Sequence, residues 1–156
     1  TALGTITEIF GGRREIHTAY PALIDTVGDV GAVVGSTATT KLALGTLKSS
    51  FSSVINHANE IFGAWAASLI MFAAYSLLSL VIQYRVLRLD SFVRFAALLF
   101  TANLMAASSI IIVAYIVAVL TFQRGLNPDN FVIPIESSLA DGITTISLLA
   151  ALILIG

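Results

Sequence analysis

Two long stretches without a single charge set the terms for this chain. Ile61 to Ile82 and Phe95 to Phe122 contain no Asp, Glu, Lys or Arg. At 1.5 Å per residue the first reaches about 33 Å as a helix, against a hydrocarbon thickness of roughly 30 Å. The second is longer and must tilt or extend past the lipid. Neither run alternates, and a transmembrane strand needs only about 9–11 residues, so both read as helices. Composition points the same way. The chain is 57% hydrophobic and 11% charged, where a soluble domain carries roughly 25% charged residues. A soluble core of this size could not hide so much apolar area, so the medium is the lipid bilayer. A net charge of -1 gives no basic excess for nucleic acid. The absence of cysteine excludes disulfides, thiolate metal sites and cysteine nucleophiles.

Two further segments are less uniform. Pro21 to Leu47 is apolar but dotted with Asp25, Asp29, Ser36, Thr37, Thr39, Thr40 and Lys41, and with Gly28, Gly31, Gly35 and Gly45. Pro21 suits the first turn of a helix, where its missing N–H costs nothing. The last segment, from about Asn130 to Gly156, is apolar after Pro134. Thr1 to Phe10 reads as the tail of another membrane helix or a short interfacial one, followed by the turn GGRRE. The expected fold is an all-α, polytopic transmembrane helix bundle with four complete spans plus a short N-terminal stub. Arg13, Arg14, Arg85, Arg88 and Arg94 fall on one side of such a bundle and Lys41, Lys48 and Arg124 on the other. The positive-inside rule puts the first group in the cytoplasm.

The polar residues in these helices are patterned. At 100° per residue, Asp25, Asp29, Ser36 and Thr40 fall within about 60° of one another around a helix axis. Ser137, Ser138, Asp141, Thr144 and Thr145 recur at spacings of three and four and form a second stripe, opposite Ile135, Leu139, Ile143 and Ile146. A carboxylate at the centre of a membrane helix costs about 2.5–3.5 kcal/mol on insertion scales, so such groups face a bundle interior or water. Oxygen ligands without histidine or cysteine suit hard cations such as Mg²⁺ and Ca²⁺. Mg²⁺ keeps several of its waters, and one or two carboxylates with hydroxyls can hold it through that shell.

Plainer duties compete with this reading. Single serines and threonines in membrane helices commonly bond their own backbone. Gly31 and Gly35, four apart, permit close approach of a neighbouring helix. Asp25 reads either as a solvated group at the lipid boundary or as part of the stripe. Glu136, taken as lying near the start of the last helix, reads as a charge favoured by the helix dipole. Asn103 reads as a helix–helix hydrogen bond. Asn56, His57, Asn59 and Glu60 read as a polar lead-in to a span. For Asp141 the competing reading is a buried structural carboxylate. Lys41 is the only cation inside or beside a span, which makes a metal ion the more natural partner.

Two stretches carry a resemblance to a known family. YPALIDTVGDVGAVVGSTATTKLALG resembles the second-helix motif of MgtE-type divalent-cation channels and the related solute carrier family 41. NPDNFVIPIESSLADGITTISLL is similar to the last helix of that family, with Pro-Asp-Asn, a proline, serine and then the aspartate. The resemblance implies a single transport domain over residues 1–156, with 1–19 a partial first helix and loop and 20–156 the remaining four of five helices. It implies a homodimer or fused pseudo-dimer in the cell membrane, with a Mg²⁺-conducting pore on the twofold axis. The aspartate that binds hydrated Mg²⁺ in the family corresponds to Asp141, and the second-helix asparagine is replaced here by Asp29.

The combined expectation is transport of a divalent cation, Mg²⁺ first, with Mn²⁺ and Co²⁺ as further cargo. The metal-binding candidates are Asp141, Asp29 and Asp25, and the pore-lining candidates Ser36, Thr40, Ser137, Ser138, Thr144 and Thr145. Rival readings are a proton-coupled carrier in which Asp141 relays protons, and a structural membrane subunit. A membrane enzyme is disfavoured, because the chain has no GxSxG and no HExxH.

Overall fold

The computed structural model describes residues 14–84 and 89–155. The expected stub at Thr1–Phe10 and the basic residues Arg13, Arg85 and Arg88 lie outside these. Four helices account for almost all of the described chain: α1 (Arg14–Ala43), α2 (Ala58–Tyr84), α3 (Leu89–Gln123) and α4 (Asp129–Ile155). A 3₁₀ helix, Phe51–His57, leads into α2. Among the described residues three stretches can cross a membrane by length and composition: Phe51–Gln83, Leu89–Gln123 and Asp129–Ile155. The two uncharged runs of the sequence fall inside α2 and α3. Helix α1 is long at 30 residues, but its polar stripe dilutes its apolar character.

Pro21, expected in the first turn of its helix, lies further in, whereas the last helix begins within one residue of the expected Asn130. Pro21 is inside α1, which already runs from Arg14, and Pro134 is inside α4, which starts at Asp129. The polar residues ahead of Pro21 are compatible with helix, so the proline placed the start of α1 too late. Two helix ends are set by glycines in the left-handed region. Gly45 (φ 70°) follows α1 and Gly125 (φ 72°) follows α3. Beyond them Thr46 N–H donates to Lys41 O at 3.0 Å, and Leu126 N–H donates to Thr121 O at 3.0 Å. These bonds satisfy carbonyls that the helix ends would leave bare.

Helices α1 and α3 each pack against the other three. The interior they share includes many small buried residues, Gly31, Gly35 and Ala38 of α1 and Ala106, Ala107, Ala114 and Ala118 of α3. Without a solvent-driven hydrophobic effect in lipid, close approach at small residues is what holds membrane helices together. The α1–α4 seam shows it most clearly. A Cβ on Gly31 would lie 2.5 Å from Glu136 Oε2 and 2.8 Å from Ile110 Cγ1, and one on Gly35 would run into Val132. The two glycines are the holes into which Glu136 and Val132 of α4 fit.

Two polar contacts tie the rest. Asn103 Nδ2 donates to Ser68 Oγ at 2.9 Å, joining α3 to α2, and Asn103 is fully buried. That is the interhelical bond its position in the sequence suggested. At the other end of α1, His57 is buried against Tyr115, with ring centroids 5.8 Å apart. Its Nε2 lies 3.0 Å from Val34 O, so that nitrogen carries the proton. Lys41 Nζ meets Glu60 Oε1 at 2.6 Å, and His57 Nδ1 is 3.6 Å from Glu60 Oε2. His57 thus clamps the 3₁₀ segment, and Glu60 the start of α2, onto α1, rather than forming only a solvated lead-in.

Enlarging Gly35 should strain the seam where Val132 already fills the space. Gly35→Val is expected to destabilise the fold by about 1–3 kcal/mol, the usual cost of overpacking. Unfolding of the purified protein in mixed detergent micelles reads this directly; unchanged stability would mean the helices do not interlock there.

Candidate cation-binding face

The glycine seam decides which sides of α1 and α4 are left over. Val27, Gly31, Val34 and Ala38 turn inward. The residues about half a turn away stay outside: Asp25, Asp29 and Thr40 are exposed and Ser36 is half-buried. The stripe inferred from helical spacing is therefore one outward face of α1. On α4, Asp141, Ser137 and Ser138 are exposed and Thr145 is half-buried.

Thr144 departs from the expected stripe. It lies four residues from both Ala140 and Leu148, which are buried, and helical periodicity carries it inward with them to 1% exposure. Its hydroxyl has no hydrogen-bond partner among the described residues, and it does not line the outer face.

A contact that spacing could not reveal joins the two helices. The Tyr20 hydroxyl of α1 lies 2.5 Å from Thr145 Oγ1 and 3.4 Å from Asp141 Oδ1, and its one proton is shared between these two acceptors. Asp141 is thus exposed and attached to α1 through Tyr20, not packed into hydrocarbon-tight surroundings. Sequence reasoning missed Tyr20 because its partners lie more than a hundred positions away.

Most of the hydroxyls on this face spend their protons locally. Thr40 donates to Ser36 O at 3.0 Å, Ser138 to Pro134 O at 2.7 Å and Thr145 to Asp141 O at 2.7 Å. Ser36 Oγ donates to Val33 O at 3.4 Å. With the donor committed to the helix backbone, each oxygen turns lone pairs outward. Such a surface accepts hydrogen bonds from the waters around a cation.

Electrostatically the face is unbalanced. Lys41 is engaged with Glu60, and among the described residues no ion pair reaches Asp25, Asp29 or Asp141. Asp29 also borders a crevice of about 170 Å³ between α1 and α2, lined in part by Thr26, Ser68 and Tyr75. Among the described residues no group of three or more His, Cys, Asp or Glu side chains could hold a metal ion within one chain. Asp25, Asp29 and Asp141 are presented outward but not gathered into a cage.

Sequence reasoning also misplaced Glu136. It is the eighth residue of α4, whose first turn is marked by Asp129. At 2% exposure it packs against Gly31 instead of serving the helix N-terminus. The signal was present in NPDNF, which can open a helix before Pro134.

A family model described as MgtE, divalent cation transporter, matches residues 20–151. No curated protein and no solved structure matches the chain.

Removing the Tyr20 hydroxyl deletes the link from α1 to Asp141 and Thr145 without changing the ring. Tyr20→Phe is expected to cost about 1 kcal/mol of stability, the usual net worth of such a bond. The same micellar unfolding measurement checks it, and a neutral result would remove Tyr20 from the account.

Proposed function

The chain belongs to the MgtE family of divalent cation transporters, and from that premise we propose that it passes a hydrated divalent cation across the cell membrane between two copies of this unit. Mg²⁺ is the principal cargo, with Mn²⁺ and Co²⁺ as further ions, and Asp141 binds the hydrated ion. The observation that carries this reading is an outward face whose carboxylates form no ion pair among the described residues, on a bundle with helices apolar enough to cross a membrane. Hydrocarbon is a costly neighbour for such a face. A second copy enclosing water removes that cost, and the absence of a one-chain metal cage among the described residues fits a site made of two halves.

Charge balance selects the cargo. Two Asp141 carboxylates across the axis bring about two negative charges, which one divalent ion neutralises and one monovalent ion does not. Mg²⁺ surrenders its waters reluctantly, so contact runs through the hydration shell. The carboxylates and the outward lone pairs of Ser36, Thr40, Ser137, Ser138 and Thr145 accept hydrogen bonds from those waters. Asp25 and Asp29 extend the acidic lining along α1 and raise the local concentration of cations. The membrane potential supplies about 4.6 kcal/mol per 100 mV for a divalent ion, twice the single-charge value, so no coupling ion is required for uptake. No step here is enzymatic.

Asp141→Asn keeps the shape and removes the charge. In liposomes it should lower Mg²⁺ flux at least about tenfold, since a charge-assisted contact contributes about 1.5–3 kcal/mol and 1.4 kcal/mol is a factor of ten. Flux at the wild-type rate in a folded Asp141→Asn protein would sink the proposal. Asp29→Asn should cause a smaller loss, measured in the same assay, because Asp29 adds to the lining rather than holding the ion.

A further inference from the structure

Among the described residues Glu136 is the one carboxylate buried inside the bundle, and the outward face does not account for it. It lies on α4 at 2% exposure, wedged against Gly31 of α1, whose missing Cβ leaves it room, and beside Ile110 of α3. Its Oε2 is buried and has no hydrogen-bond partner among the described residues. No Lys, Arg or His among them forms an ion pair with it.

Among the described residues the surroundings offer no positive charge to compensate a negative one. From α1 the group in electrostatic reach is Asp29, of the same sign. His17 and Tyr20 stand further along α1, about 16 Å or more from Gly31 by helical rise, and Lys41 is bound to Glu60. Between Arg94 and Arg124, α3 carries one titratable side chain, Tyr115, whose hydroxyl is engaged with Ser53 at 2.9 Å. On α4 itself the other ionisable groups are Asp129 and Asp141, again negative. Burying an ionised carboxylate without a partner costs several kcal/mol even after relaxation. The neutral acid loses only the smaller penalty of an unmade hydrogen bond, about 1–3 kcal/mol.

We propose that Glu136 holds a proton in this packed state of the α1–α4 seam and releases it when a divalent cation occupies the adjoining acidic face, coupling cation arrival to proton release. The O–H bond of the carboxyl group breaks heterolytically and its proton passes to water on that face. The electron pair stays as carboxylate charge, which the arriving cation balances. Gly31 is what permits this, since no side chain on α1 pins the carboxyl group in its slot. The coupling rests on the cation path proposed above; the bound proton does not.

Infrared difference spectroscopy of the full chain in liposomes tests both parts, with Mg²⁺ alone as the probe. At neutral pH the wild type should show the carbonyl stretch of a protonated carboxyl group in apolar surroundings. Glu136→Gln, nearly isosteric, should lack that band, and Asp141→Asn should keep it. Adding Mg²⁺ to the wild type should abolish the band and acidify a weakly buffered medium, read with a pH-sensitive dye. No such band in the wild type, or its survival in Glu136→Gln, overturns the bound proton. A band that Mg²⁺ leaves unchanged in a wild type that conducts overturns the coupling. Wild-type flux in Asp141→Asn would instead count against the cation path while leaving the proton assignment standing.

Discussion

Close contact between α1 and α4 at Gly31 and Gly35 is the interaction from which the rest follows. Glu136 and Val132 occupy the places where side chains on α1 would have been. That fixes the rotation of both helices, because a helix that buries one stripe must present the opposite one. Asp25, Asp29, Ser36 and Thr40 are thereby held outward on α1 and Asp141 on α4. In water this would be an ordinary hydrophilic surface. With three helices among the described residues long and apolar enough to cross a membrane, it is an electrostatic problem that needs water, a cation or a second copy to solve it.

The hydroxyl-rich composition of these helices suits that task. Serine and threonine satisfy their donors on their own backbone, so the helices can carry oxygen without demanding partners across the bundle. Their remaining lone pairs are weak and numerous, which matches a hydrated ion better than a tight cage would. Lys41 is kept away from the acidic face by Glu60 and the His57 clamp, so the one cation expected beside a span does not neutralise it. A transporter must hold its cargo loosely enough to release it.

Much of this was legible in the chain before folding. Uncharged length located α2 and α3, because the bilayer sets a minimum run and charge interrupts it. Helical periodicity grouped the outward residues of α1, because spacing within one helix is a local property. It erred at Thr144, where the stripe's edge meets the packed face and only the neighbouring helix decides which side wins. The first-turn reading of Pro21 also erred, since a proline is tolerated well inside a helix when the preceding residues can already take that form. Glu136 and Tyr20 were out of reach for a different reason. Their meaning lies in contacts between α1 and α4, and no periodicity within either segment encodes which turn of one helix meets which turn of the other.

The central claim is that two copies of this unit share one hydrated divalent ion between their Asp141 carboxylates. Anomalous diffraction from crystals of the protein grown with Co²⁺ or Mn²⁺ tests it most directly. The account predicts one metal peak on or near a twofold axis, with waters between the ion and the carboxylates of both copies. A metal peak confined to a single chain away from Asp141, or Asp141 of every copy facing lipid with no metal near it, would contradict it.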